Sequence, residues 1–209
     1  MVKILVFGDS IGWGAFDVEK AGWVERLKIN YLKTFKTKFI SVYNLCISGD
    51  TTTGVVNRIE SSIKTFESID KEELILMYSI GTNDASYLEN KQNFEVPINV
   101  FKKNIQKIID ISKKHSTSIV FTNFTKVNES KAMPWVDFSE GNLYWENKEL
   151  ENYQNKLEII CKNNEIEVIN LWDLLVDKDL PDGIHPNDVG HEKIYKQVKY
   201  YLENSKLLK

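Results

Sequence analysis

Short apolar runs alternate with longer amphipathic stretches along the chain. Residues 2–7 form a continuous β-rich run ended by Gly8, and residues 39–46, 74–80, 118–124 and 167–171 repeat that pattern. Runs of this length predict strands buried on both faces. The stretches between them have a different period. Trp23, Leu27 and Tyr31 recur on one helical face, as do Ile98, Phe101, Ile105, Ile108 and Ile109. Helices are also expected over residues 53–66, 147–163 and 187–203. Strands alternating with helices require crossover connections, hence a parallel sheet covered on both sides. The expected fold is one three-layer α/β domain over residues 1–209, without linker or repeat.

One stretch breaks the rhythm. Residues 125–146 carry Met133, Pro134, Trp135, Phe138, Tyr144 and Trp145 without a clear period. A loop this long in a compact domain tends to serve function. The plainer alternative is that it tucks its aromatics onto a satellite core.

Composition narrows the class. With 209 residues, 42% hydrophobic and 27% charged, the chain can bury a core of its own. Lys and Arg number 27 against 30 acidic residues, for a net charge of −3. That balance argues against nucleic acid as a partner, which selects a basic surface. No run of about 20 apolar residues is present to cross a membrane. The two cysteines, Cys46 and Cys161, lie far apart and outside any CxxC pair, so buried free thiols are expected. The start of the chain is too short in apolar residues for a leader before Gly8, and a cytoplasmic location is expected.

In open α/β sheets, ligands bind beyond the carboxyl ends of the strands. Three motifs fall there. Gly8-Asp9-Ser10-Ile11-Gly12 follows the first strand and places a serine at a strand-to-helix turn, where backbone N–H groups are free. It also matches Gly-x-Ser-x-Gly, but that elbow sits deep in a larger sheet, and here only one strand precedes it. Gly81-Thr82-Asn83-Asp84 follows the third strand and offers an amide donor. Near the other end lies Asp182-Gly183-Ile184-His185-Pro186. A serine nucleophile needs a base, and the base needs a group to fix its tautomer. A carboxylate three residues before a histidine can fold back onto Nδ1, with Gly183 permitting the turn and Pro186 opening the next helix. His115 and His191 fall in helical patterns and are expected to serve packing or surface, which leaves His185 as the base.

Gly8-Asp9-Ser10, Gly49 within Ile47-Ser48-Gly49-Asp50-Thr51, the Gly81–Asp84 block and the Asp182–Pro186 block occur in the order of the GDSL, or SGNH, hydrolases. The chain resembles that family over nearly its whole length. By this resemblance Ser10 is the nucleophile and His185 the base, oriented by Asp182. The N–H of Ser10, the N–H of Gly49 and the side chain of Asn83 would form the oxyanion hole. It further implies a flavodoxin-like five-stranded parallel sheet of order 2-1-3-4-5, and no cofactor or metal. Residues 44–58 most resemble the branch of bacterial thioesterase I and lysophospholipase L1. Ile11 stands where the family has leucine, and residues 125–146 do not align to that branch.

The expected reaction is acyl transfer from a small-molecule ester through an acyl-enzyme, with lysophospholipids, acetyl esters and acyl thioesters all open as substrates. Trp13, Tyr87 and Trp135 are expected to line the pocket. Two other classes compete: a flavodoxin-like module cradling phosphate on residues 8–14, and a non-catalytic glycan- or lipid-binding member of the same fold. Neither uses Asp182 and His185 for catalysis.

Overall fold

The computed structural model describes residues 2–33, 39–67, 73–135 and 142–208. Five parallel strands make its main sheet: β1 (Val2–Gly8), β2 (Ile40–Asn44), β3 (Glu73–Ser79), β5 (Ser118–Thr122) and β7 (Glu167–Ile169). Two residues each form β4 (Tyr87–Leu88) and β6 (Leu143–Tyr144), which pair antiparallel outside the sheet. The main sheet runs β2-β1-β3-β5-β7. With β4 and β6 set aside, this is the expected order 2-1-3-4-5.

Alternation along the strands builds both faces. Ile4 and Val6 of β1, Ile75 and Met77 of β3, and Val120 of β5 face α2 (Trp23–Lys33) and α7 (Asp188–Asn204). Leu5, Phe7, Leu76, Tyr78 and Phe121 face the other side. There they meet α3 (Thr52–Phe66), α4 (Ile98–Ser112) and α6 (Asn147–Asn163). Each face is an apolar cluster, so the inner strands read as unbroken hydrophobic runs rather than as alternating ones. Two short helices, α1 (Ser10–Trp13) and α5 (Glu129–Ala132), complete the set. Among the described residues no helix is long and apolar enough to cross a membrane. Cys46 and Cys161 are free and buried.

Register fixes where the chemistry falls. Gly8 pairs with Ser79, so β1 and β3 end level with each other and release their following loops at one edge. Gly8 permits this closeness, because a Cβ there would stand 2.6 Å from the Ser79 carbonyl oxygen. Helix α7 begins later than the sequence suggested. Pro186 precedes the cap, and Asn187 caps the helix by accepting from the N–H of Gly190 at 3.0 Å.

The described residues of the 125–146 stretch join the main core rather than forming a satellite. Val127, Ala132 and Trp145 belong to the cluster under α3, α4 and α6. Tyr144 stacks on Tyr87 with centroids 5.3 Å apart, and Trp145 meets Trp135 edge-on at 5.6 Å. Phe138 lies outside the described residues.

Candidate active site

Ser10 opens α1 immediately after β1. Asp9 caps that helix from an extended conformation, its Oδ1 accepting from the Ile11 N–H at 3.0 Å. As a first-turn residue, Ser10 has a backbone N–H with no carbonyl one turn behind it. Its Oγ lies 2.8 Å from Nε2 of His185. Burial pushes the Asp9 carboxyl up to about 6, against the Ile11 N–H and the nearby His185, which pull it down.

The two oxygens of Asp182 do different work. Oδ1 accepts the N–H groups of Ile184 at 2.9 Å and His185 at 2.8 Å, closing an Asx turn. Oδ2 lies 2.6 Å from Nδ1 of His185. Burial alone would raise this carboxyl. The hydrogen bond and charge of His185, with the two N–H groups, hold it below the ordinary carboxylate value instead. An ionised Asp182 places the proton on Nδ1, which leaves Nε2 to accept from the Ser10 hydroxyl. Gly183 makes the turn possible at φ 96°, and a Cβ there would come within 2.7 Å of Lys131.

Across from this pair, the β2–α3 and β3–β4 loops are tied together. Asn83 donates from Nδ2 to the carbonyl of Asp50 at 2.9 Å. An amide has two N–H donors, so the second remains for the cavity that Asn83 lines. Gly49 sits in the left-handed region at φ 78° on the facing loop. Asp50 is held by Arg58 at 2.6 Å, which fixes that loop from below. Asp84 adds a second tie. Both its oxygens accept from the Thr52 N–H at 3.2 and 3.0 Å, and the Thr52 hydroxyl also donates to it. It thereby caps α3, whose own cap residue Thr51 makes no side-chain cap bond. Burial raises the Asp84 carboxyl to about 7, against the pull of these Thr52 donors.

Ser10, His185, Asn83 and Gly49 open onto one cavity of about 280 Å³. Trp135, Leu143, Trp145 and Ile184 form much of its wall, with Ser86 and Glu95 adding polar groups. Larger grooves of about 690 and 630 Å³ flank β7, lined by residues such as Gln154, Glu158 and Tyr200, away from the serine. Chemistry rather than size selects the smaller cavity. Among the described residues, no three His, Cys, Asp or Glu side chains gather as a metal-binding group.

Of the three aromatics expected at the pocket, the structure brings one there. Trp135 lines the cavity and tilts against the His185 ring at 6.1 Å. Trp13 is 57% exposed and lines a separate groove with Ile29. Helix α1 is only four residues long and ends at Gly14, which turns Trp13 outward. Tyr87 is buried behind the wall, because the alternation that faces Ser86 to the cavity faces Tyr87 away from it. Sequence reasoning passed over Ser86, Glu95 and Leu143, and named Trp145 only as an aromatic of the 125–146 stretch. His191 is a packing residue, accepting at Nδ1 from the Trp23 N–H at 3.3 Å. His115 pairs with Glu67 at 2.5 Å.

Ser10, His185 and Asp182 thus stand in hydrogen-bonded series beyond the carboxyl edge of a parallel sheet. The chain belongs to the GDSL-like lipase/acylhydrolase family, whose sequence profile matches residues 4–198. It is 20% identical over 140 residues to the GDSL esterase/lipase WDL1 of Oryza sativa subsp. japonica, a match covering 63% of this chain. The chain spans about half the length of that relative, with 54% of it matched. Among solved structures, a member of the lipolytic G-D-S-L family from Veillonella parvula superposes with a TM-score of 0.73 at 17% identity. That match covers 98% of this chain and 100% of the other. Axe2, an acetylxylan esterase from Geobacillus stearothermophilus, superposes with a TM-score of 0.72 at 16% identity, covering 99% and 96% respectively. At these identities the two structures share the fold.

Proposed function

We propose that the chain is a serine esterase, acting from a single domain over residues 1–209 on small-molecule carboxylic esters of short acyl chain. The observation that carries this reading is the continuous path from Asp182 Oδ2 through His185 to Ser10 Oγ, at 2.6 and 2.8 Å, ending at a cavity. Ser10 attacks the ester carbonyl while Nε2 of His185 takes its proton. The carbonyl oxygen, now anionic, receives the N–H groups of Ser10 and Gly49 and the free Asn83 N–H. Collapse expels the alcohol, which takes the proton back from His185, and leaves Ser10 acylated. Water, deprotonated by the same Nε2, then releases the acid.

A cavity of about 280 Å³ lies just below the range usual for drug-sized ligands, which favours acetyl and other short acyl groups. Free cysteines suit a reducing compartment, and the cytoplasm is the proposed site of action. No cofactor enters this scheme.

A fluorophosphonate probe tests the nucleophile. It should label the wild type at Ser10 alone, and Ser10→Ala should lose p-nitrophenyl acetate hydrolysis by at least about 10³-fold with its fold intact. Labelling elsewhere, with Ser10→Ala still turning over, would falsify the assignment of Ser10, whereas a wild type that is neither labelled nor active would favour a non-catalytic binding member of the fold.

A further inference from the structure

The loop joining α1 to α2 holds an exposed aromatic residue in a costly backbone conformation. Phe16 has φ 66°, in the left-handed region that L side chains rarely adopt. It is 48% exposed and belongs to neither apolar cluster. Core packing therefore does not account for it. Its ring lies flat against the imidazole of His185, with centroids 5.4 Å apart and planes 17° from parallel.

Both neighbours of Phe16 are pinned from below. The Ala15 carbonyl lies 2.9 Å from Nε2 of the buried His191. Asp17 accepts the N–H groups of Glu19, Lys20 and Gly22, and its carboxylate is gripped by Arg26 at 2.8 Å. Arg26 in turn pairs with Glu192 of α7 at 2.6 Å. An unfavourable φ persists only where the surroundings over-determine it, and such strain gathers at functional sites.

We propose that Phe16 is a positioning residue for His185, holding the plane of its ring and steadying the imidazolium that forms as Ser10 gives up its proton. This rests on the reading of His185 as the base. The Asp182 hydrogen bond fixes Nδ1 but leaves the ring free to tilt about that bond. A flat aromatic face removes that freedom, and the Trp135 ring, tilted by 59° at 6.1 Å from the same imidazole, adds a second contact. The face also presents negative quadrupole density to the cation at the moment it appears. Because the positive charge is absent in the resting enzyme, the benefit falls on the reaction step and leaves binding of a small ester nearly unchanged.

The test measures p-nitrophenyl acetate hydrolysis and melting temperature for Phe16→Leu, Phe16→Gly and Phe16→Trp beside wild type and Ser10→Ala. Phe16→Leu should lower kcat about 5- to 10-fold with KM moving less than about twofold. Phe16→Gly relaxes the backbone, so it should melt at or above the wild-type temperature and lose kcat at least as much. Phe16→Trp restores a flat face and should keep at least about half of kcat. Wild-type kcat in Phe16→Leu, or a loss that tracks falling melting temperature and is not rescued by tryptophan, would overturn the proposal while Ser10→Ala remains inactive. Full turnover by Ser10→Ala would overturn the reading of the site itself, and the role of Phe16 with it.

Discussion

Two sides of the cavity are built by different means. The reacting side hangs from strand ends and tight turns. Gly8 lies against Ser79, Asp182 closes a turn of three residues, and Asn83 is tied to Asp50. The wall side is assembled from distant segments. The isolated pair Trp135 and Leu143, the β4–β6 pairing and the Trp145 indole bonded to the Thr82 carbonyl at 3.1 Å close it. A turn fixes a side chain through backbone bonds that few sequences can supply. A wall of packed aromatics fixes only volume and shape, which many sequences can supply. The first kind of construction suits chemistry that tolerates little displacement, and the second suits a choice of substrate.

Removing the amide donor should separate the two sides most sharply. Asn83→Ala should lower kcat by about 10²–10³ with little change in KM, because its bond strengthens only as the carbonyl becomes an oxyanion. Asn83→Asp should be at least as damaging, since it sets a carboxylate beside developing negative charge. A near-normal kcat for Asn83→Asp would remove Asn83 from the oxyanion hole.

A smaller effect lies at Asp84, which ties the loop after β3 to the start of α3. In the folded chain its carboxyl titrates at about 7 instead of 3.8, chiefly because burial disfavours its charge. The folded state therefore binds the extra proton. The stability this confers is fully present below pH 3.8 and is lost as pH rises through 7. The wild-type curve alone would mix this with Asp9, raised to about 6, and with His191, which burial lowers and which opposes them below 6.5. Subtracting it from that of Asp84→Asn cancels His191, and leaves of Asp9 only the part that comes from its repulsion with Asp84. At pH 5 the variant should be the less stable by about 1–2 kcal/mol, having lost an acceptor for Thr52. By pH 8 the gap should close or reverse. A melting-temperature difference constant from pH 5 to 8 would show that Asp84 does not titrate there.

The same contrast governs what could be read from sequence. Strands β1, β3 and β5 were legible as unbroken apolar runs, and Asn147–Asn163 fell where its helical period put it. Ser10 and Asn83 stood out by their place just after β1 and β3, Asp182 and His185 by their spacing of three, and all four by the order of the blocks that carry them. The wall was illegible for a physical reason. Strands β4 and β6 are two residues each and 55 positions apart, too short to show a period. A shift of one residue there exchanges Ser86 for Tyr87 at the cavity. Asp84 was hidden because it caps a helix far away in sequence, and Phe16 because its role depends on a φ angle that composition does not reveal.

The wall itself offers the mildest perturbation. Trp135 contributes surface to the cavity and an edge contact to Trp145, yet it makes no bond in the Asp182–His185–Ser10 series. Truncating it should therefore alter which esters are preferred more than how fast the preferred one turns over. A methylene group in an apolar pocket is worth about 10-fold or somewhat more in kcat/KM. Trp135→Ala should accordingly shift preference from p-nitrophenyl acetate toward the butyrate or hexanoate by about 10-fold, with Trp135→Phe between it and wild type. The phenylalanine variant also serves as a control, because the indole leans on His185 and its full removal frees the imidazole on that side. A gain for longer chains that appears in both variants, in order of the volume removed, follows from cavity shape. A uniform loss across all chain lengths follows from a displaced base and would move Trp135 from the wall to the reacting side. An unchanged chain-length profile in Trp135→Ala would mean that acyl groups bind elsewhere, and the wall would lose its role in selection.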